Sequence, residues 1–183
     1  MTGVQTCALP ILQLCNVHRL PILSLCDTPG FMVGPGVEAR AQVRHVCRMF
    51  VVGAHTTVPF LTVVLRKGYG LGAMAMSAGS FHDSFFTASW PTGEFGGMGL
   101  EGAVRHGFRK ELEAIQDPVE RESTYKFFVE QAYIMGKAMN MASYLEIDSV
   151  IDPAETRRWI MRGLKSAPDL LSADRGRDFI DPW

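Results

Sequence analysis

The strongest constraint on the fold is an apolar run that ends in a glycine-rich turn and leads into a helix-forming segment. Residues 59–65 are apolar and strand-like, and they are followed by "RKGYGLGAMAM" at residues 66–76. A turn from a strand into a helix leaves backbone N–H groups unpaired at the positive end of the helix dipole. Such a turn can bind a phosphate or stabilise an oxyanion on a reacting carbonyl. It can equally serve close packing alone, because glycine-rich turns are common.

Strand-like runs alternate with helical patterns along the chain, which predicts an α/β domain. The length of 183 residues suits a single domain. Strands are predicted at residues 20–26, 59–65 and 84–89, and helices at residues 37–54 and 97–108. Two further helices should begin at Asp117-Pro118 and Asp152-Pro153, where Asp is a good N-cap and Pro suits the first helical position.

Two helices carry apolar stripes whose surroundings can be predicted. In the helix at residues 37–54, the spacing predicts one buried face made of Val43, Val46, Cys47, Phe50, Val51 and Ala54. The helix from Pro118 carries a stripe that should face either the core or a partner: Tyr125, Phe128, Val129, Ala132, Met135 and Met139. Cys26 and Cys47 lie among apolar residues, so both are predicted to be buried, reduced thiols.

Composition and motifs exclude several functional classes. The formal net charge is −1, so no strong field favours nucleic acid or an anionic membrane. The five histidines lack metal-ligand spacing, and there is no CxxC or G-x-S-x-G motif. No signal peptide or membrane span is recognisable, which makes the cytoplasm the default location. Asp27-Thr28-Pro29-Gly30 imitates a GTPase switch, but the phosphate loop G-x-x-x-x-G-K-[ST] is absent from these residues, so GTP binding stays open only as a weak alternative. Asp27 is better interpreted as a turn residue that bonds the backbone.

Four segments in order resemble the carboxyltransferase (beta) subunits of biotin-dependent acyl-CoA carboxylases, of the propionyl-CoA and acetyl-CoA carboxylase type. They read "LCDTPGFMVG", "VPFLTVVLRKGYGLGAMAM", "FFTASWPTGEFGGMGLEGAV" and "IDSVIDPAETR". The resemblance runs from about Leu12 to Ala167 and matches only the second, C-terminal domain of that family. It implies a crotonase-like (ClpP/crotonase) spiral of strands and helices, with backbone N–H groups that stabilise oxyanions.

By this resemblance, the backbone N–H groups of Leu71 and Gly72 form the oxyanion hole that faces biotin. The usual family pattern R-K-x-Y-G-G-A here reads "RKGYGLG", and both altered residues keep an N–H. The resemblance also implies substrate-binding residues: Gly30, Phe31, Tyr69, Gly70 and Met74. Met74 would form an apolar wall of the acyl pocket, although Met is equally a good core filler. Four further residues would lie near the site as scaffold: Trp90, Pro91, Gly93 and Glu94.

The resemblance implies biotin, carried on a partner protein or domain, and acyl-CoA as substrate. Expected partners are a biotin carboxyl carrier domain, a biotin carboxylase and the N-terminal carboxyltransferase half of another subunit, in a homo-oligomer. Two alternatives are a biotin-dependent acyl-CoA decarboxylase component and a non-catalytic oligomerisation module. Because the acyl-CoA half would be missing, the isolated chain should be inactive and self-associating.

The two ends of the chain should differ from the domain at residues 12–167. Residues 3–11, "GVQTCALPI", look like a translated sequencing adapter, so residues 1–11 are expected to be a non-native leader. The chain is therefore expected to be a fragment. Deleting the leader should leave the midpoint of unfolding unchanged, because it adds no periodic apolar face. Residues 168–183 lose periodicity and are expected to be a loosely ordered tail.

Overall fold

A computed structural model describes residues 2–167, and it shows strands and helices alternating along the chain. The helices are α1 (Thr2–Val17), α2 (Pro35–Glu38), α3 (Gln42–His55), α4 (Gly70–Ala75), α5 (Leu100–Gly107), α6 (Arg109–Ala114), α7 (Pro118–Met135), α8 (Ala138–Ser143) and α9 (Thr156–Ser166). The strands are β1 (Ile22–Thr28), β2 (Phe60–Tyr69), β3 (Phe86–Ser89), β4 (Glu94–Gly96) and β5 (Ser149–Val150). The predicted α/β class is confirmed. The predicted tail at residues 168–183 lies outside the described residues.

The strands form one parallel sheet in the order β1-β2-β3-β5, and β4 also pairs with β2. Strand β2 is central: β1 lies along most of its length, β3 lies beside residues 61–64 and β4 beside residues 67–69. It continues to Tyr69, four residues beyond the predicted end at Leu65. The extension holds because Gly68 pairs with Phe95, whose ring lies only 3.2 Å from where a Cβ of Gly68 would be.

Helices cover both faces of the sheet, as a buried parallel sheet requires. On one face, Phe60 of β2 packs with Met49 and Val52 of α3 and with Leu9 of α1. On the other face, Leu61 and Val63 pack against side chains of α9, among them Trp159 and Leu164. Strand β2 lies at the centre of this layered core, because three of its residues are fully buried: Thr62, Val63 and Val64.

The segment predicted to be a leader takes part in the fold through Ala8 and Leu9. Helix α1 runs without a break across residue 11, and Leu9 is only 3% exposed within the same core cluster as Met49. The prediction that residues 1–11 add nothing to the fold is therefore wrong. It failed because Leu9 and Leu12 are three residues apart, and this helical spacing crosses the assumed boundary. Whether the segment is native stays a prediction.

The predicted helix at residues 37–54 is interrupted at Ala41, which has a left-handed φ of 56°. In α3 the buried positions include Val46, Met49 and Val52, whereas Val43 and Val51 are 68% and 53% exposed. The predicted face is thus rotated by about 100°, the turn of one residue along a helix. Cys47 is exposed, which corrects the prediction that it is buried, whereas Cys26 is buried as predicted.

The two predicted N-caps are confirmed. The carboxylate of Asp117 accepts the N–H of Val119 at 3.0 Å and begins α7. Asp152 accepts the N–H of Ala154 at 2.8 Å, where it begins a short 3₁₀ helix (Pro153–Glu155) ahead of α9. Helix α7 has no fully buried residue, so its apolar stripe does not lie in the core. The partner-facing alternative for this stripe stays a prediction.

Within residues 2–167, none of the helices combines the length and hydropathy needed to cross a membrane. The same part of the chain contains no cluster of three or more His, Cys, Asp or Glu side chains suited to a metal ion.

Candidate functional site

The glycine-rich turn and the loop after β1 approach each other at backbone distance. A Cβ placed on Gly72 would lie 2.9 Å from Cα of Gly30 and 3.4 Å from the backbone N of Phe31. Gly30 itself has a φ of +96°, and its Cβ would lie 3.3 Å from the carbonyl oxygen of Tyr69. A side chain at either position would therefore push the two segments apart, and at Gly30 the positive φ adds strain. The structure brings together three predicted site residues, Gly30, Phe31 and Gly72, which are distant in sequence.

Helix α4 begins directly at this contact. Gly70 has a φ of +57°, and a Cβ there would lie 2.6 Å from the carbonyl oxygen of Gly97. This left-handed residue turns the chain from β2 into the helix. The N–H groups of the first helical turn, including Leu71 and Gly72, have no acceptor inside the helix. The N-cap residue, Tyr69, makes no side-chain capping bond. The family resemblance assigned the oxyanion hole to these two N–H groups, and that assignment stays a prediction.

Asp27 stabilises the end of β1 beside this turn. The register between β1 and β2 shifts after Cys26, so that Thr28 pairs with Gly68. The carboxylate of Asp27 accepts the backbone N–H of Lys67 at 3.1 Å and forms an ion pair with Arg66 at 3.2 Å. Asp27 therefore bonds backbone, as predicted, but on the neighbouring strand and not in its own turn.

The side chain of Tyr69 belongs to the scaffold. It is 2% exposed, and its hydroxyl donates to Oε2 of Glu94 at 2.9 Å. Burial, and then the hydrogen bond to Glu94, raise the pKa of Tyr69 well above its usual value. Nearby, Tyr133 donates to Glu101 at 2.6 Å, and this bond with burial raises the pKa of Tyr133 to about 12. Only the backbone of Tyr69 is left for the predicted substrate contact.

The predicted residues divide between the two sides of α4. Gly30, Phe31 and Gly72 line a cavity of about 250 Å³ against α3. Leu71, which is 56% exposed, lies with Phe31 beside an adjoining cavity of about 460 Å³. Gly70 and Met74 line a different, open cavity of about 470 Å³, which residues of α7 and α8 border.

Sequence reasoning missed the aromatic wall of this last cavity, which we call the α4–α7 cavity. Phe81 and Phe95 meet edge to face there, with ring centroids 5.4 Å apart. Met141 of α8 completes the wall. No local pattern distinguishes these residues from ordinary core positions, because segments far apart in sequence form the contact.

A match to a protein family and to solved structures agrees with this geometry. The model of the carboxyl transferase domain matches residues 9–169. The chain is 35% identical over 162 residues to the methylmalonyl-CoA carboxyltransferase 12S subunit of Propionibacterium freudenreichii subsp. shermanii, covering 86% of this chain and 30% of the relative. It thus spans about a third of that relative's length.

Two solved structures show the same fold. A transcarboxylase 12S hexamer, with methylmalonyl-CoA and methylmalonic acid bound, superposes with a TM-score of 0.76 at 31% identity, over 94% of this chain and 32% of that one. A single-chain, multi-domain long-chain acyl-CoA carboxylase superposes with a TM-score of 0.72 at 56% identity, over 82% of this chain and 14% of that one. The predicted crotonase-like fold is confirmed, and the chain belongs to the carboxyl transferase domain family.

Proposed function

We propose that this chain forms the biotin-facing part of a biotin-dependent acyl-CoA carboxyltransferase, with the N–H groups of Leu71 and Gly72 as oxyanion donors. The observation that carries the proposal is the backbone contact between Gly30 and Gly72. It fixes the first turn of α4 at backbone distance from the loop after β1. Family membership supplies the reaction class.

The donor set fits the cofactor. The ureido oxygen of biotin is a strong acceptor, and backbone N–H groups at a helix start are preorganised donors that need no reorientation during reaction. Carboxybiotin would supply the carboxyl group, and the ureido nitrogen freed from it would accept the proton from the acyl-CoA α carbon. The chain's own part is to hold the ureido oxygen and to stabilise the charge that develops there. One such donor is typically worth about two to three orders of magnitude in rate.

The proposal extends to partners. The 12S relative is described as a hexamer and as a multienzyme core, and this chain covers 32% of it. We therefore infer a homo-oligomer that receives biotin on a carrier domain, loaded by a biotin carboxylase. The N-terminal carboxyltransferase half of another subunit would hold most of the acyl-CoA. In the absence of that half, the isolated chain should not decarboxylate malonyl-CoA or methylmalonyl-CoA with free biotin.

The test uses a full-length carboxyltransferase that carries this sequence as its C-terminal part. Gly72→Pro removes one N–H donor, so the rate of carboxyl transfer should fall about 100- to 1,000-fold. Leu71→Ala keeps its donor and should be mild. Gly72→Ala is the matched control, since it introduces the same Cβ against Gly30 but keeps the N–H.

Circular dichroism and oligomer size must be unchanged in each variant. If Gly72→Ala and Gly72→Pro lose the same activity while folded, the clash and not the donor is responsible, and the oxyanion assignment is wrong. Equal losses in Leu71→Ala and Gly72→Pro would contradict it as well.

A further inference from the structure

We propose that Asp27 and Thr92 are positioning residues for carboxyl transfer, because their side chains fix a bulge in β2 that places the oxyanion donors beside the loop after β1. This bulge, which we call the β2 bulge, comprises residues 65–67. The inference rests on the proposed function for the role of the N–H groups of Leu71 and Gly72. It adds two residues that hold these donors in place without contacting the substrate.

The β2 bulge gives β2 two more residues than the stretch of β1 that faces it. Cys26 pairs with Val64, and Thr28 pairs with Gly68, so one residue of β1 lies opposite three residues of β2. Without the bulge, Thr28 would pair with Arg66, and the glycine-rich turn would lie two residues farther along the sheet. At about 3.3 Å per strand residue, the bulge draws the turn back by about 6–7 Å towards the loop after β1.

The bulge interrupts the strand pairing on both sides of β2, and a side chain bonds to β2 in each gap. Towards β1, Oδ1 of Asp27 accepts the backbone N–H of Lys67 at 3.1 Å. On the other side, the regular pairs with β3 stop at Val64, and the pairs with β4 begin at Lys67. There the hydroxyl of Thr92 donates to the carbonyl oxygen of Leu65 at 2.6 Å. Each side chain thus replaces a main-chain partner that the neighbouring strand does not supply.

The register set by the bulge decides what the donor turn meets. A Cβ on Gly30 would lie 3.3 Å from the carbonyl oxygen of Tyr69, and a Cβ on Gly72 would lie 2.9 Å from Cα of Gly30. A slip of β2 by one residue would move the turn by about 3.3 Å and break both contacts. A misplacement of about 1 Å can cost about 100-fold in rate, so the side chains that fix the bulge bear on the reaction.

The acceptor oxygen of Asp27, and not its charge, carries this role. Its ion pair with Arg66 is exposed, at 61% for Arg66 and 36% for Asp27, and exposed pairs contribute little. Asp27→Asn keeps an acceptor for the N–H of Lys67, whereas Asp27→Ala removes it. Thr92→Ser likewise keeps the hydroxyl donor for Leu65, whereas Thr92→Val removes it. Each position therefore offers a conservative variant that should preserve the bulge.

The position of the turn can be measured on this chain without any reaction. In the ¹⁵N-labelled chain, Asp27→Ala should speed hydrogen exchange of the Lys67 amide and shift the amide signals of Leu71 and Gly72. Asp27→Asn should leave both properties close to those of the parent chain. The matched control is Glu113→Ala, which breaks an exposed ion pair within α6 and should change neither. Faster exchange at Lys67 with unmoved signals of Leu71 and Gly72 would overturn the proposal.

The rate is measured on the full-length carboxyltransferase that carries this sequence. Asp27→Ala and Thr92→Val should each lower kcat by about tenfold or more, with KM for the acyl-CoA unchanged, because the donors act on the transition state. Asp27→Asn and Thr92→Ser should keep most of kcat. Thr92 is exposed, so Thr92→Val tests the bulge even if Asp27→Ala fails to fold. Equal losses in the conservative and disruptive variants, or a raised KM with unchanged kcat, would overturn the proposal.

The two measurements separate this inference from the proposed function. If the amide signals respond as described but the full-length protein transfers no carboxyl group, the proposed function fails and the placement of the turn by Asp27 and Thr92 stands. If the full-length protein is active and both Asp27→Ala and Thr92→Val keep its kcat, the function stands and the positioning role is overturned.

Discussion

Gly72→Ala should measurably destabilise the chain, because it forces apart two backbone segments that touch in the structure. The added Cβ would lie 2.9 Å from Cα and 3.1 Å from the carbonyl carbon of Gly30. Backbone atoms cannot rotate away as a flexible side chain can. Gly72 is not among the positive-φ glycines, so its own conformation suits alanine and the clash is the cost to consider. Overpacking of this kind typically costs about 1–3 kcal/mol, which exceeds the ~0.5–1 kcal/mol that alanine gains over glycine in a helix.

The assay is urea unfolding followed by circular dichroism, with thermal unfolding as a second measure. The net cost of about 0.5–2 kcal/mol should lower the midpoint of thermal unfolding of Gly72→Ala by about 1–8 °C, at about 2–4 °C per kcal/mol for a chain of this size. The matched control is Gly36→Ala in α2, where an added Cβ meets nothing within 4 Å. It should be neutral or stabilising. If both variants have the same free energy of unfolding, the close approach of the loop and the turn is wrong.

Three further predictions concern the fold and its ionisable groups. Leu9→Ala should lower the free energy of unfolding by about 2–4 kcal/mol, because Leu9 is 3% exposed in the core; an unchanged urea midpoint would mean that α1 does not pack there. The free energy of unfolding should fall as pH rises from about 10 towards 12. Hydrogen bonding to Glu101 and burial raise the pKa of Tyr133 in the folded chain from 10.0 to about 12. The unfolded chain therefore loses this proton at lower pH than the folded chain, which favours unfolding. Tyr133→Phe should weaken this pH dependence, measured by urea titrations at pH 9 and 11, and an identical slope would contradict the assignment. At pH 8 a thiol reagent should modify the exposed Cys47 quickly. Cys26 should react only in denaturant, because burial, and to a lesser extent the charge of Asp27, raise its pKa to about 12. Mass spectrometry of peptides distinguishes the two cysteines.

Local chemistry made the main elements predictable from sequence. Asp117 and Asp152 were recognisable as N-caps because each is followed by proline. The aspartate side chain accepts a free backbone N–H at the helix start, and proline is favoured at the first helical position. The turn at residues 66–72 was recognisable because a run of glycines interrupts a strand-like segment. The family resemblance assigned Gly30 and Gly72 to one site, but their close contact was not predicted, since nothing local joins residues that far apart.

Tertiary packing decided the features that the sequence did not predict. Helix α3 has apolar residues on two adjoining faces, and contact with α1 and α4 selects the face with Met49 over the face with Val43. The engaged hydroxyl of Tyr69 depends on Glu94, which β4 brings beside β2. The α4–α7 cavity depends on where α7 and α8 pack, and no periodicity of the sequence contains that information.

The most direct test of the central claim is a titration of the ¹⁵N-labelled chain with free biotin, followed by the chemical shifts of backbone amides. If the first turn of α4 holds the ureido oxygen, the amides of Leu71 and Gly72 should show the largest saturable shifts, with smaller changes at Gly30 and Phe31. The amide of Gly36 should not move. Saturable shifts located elsewhere, or none at Leu71 and Gly72 up to the solubility limit of biotin, would contradict the account.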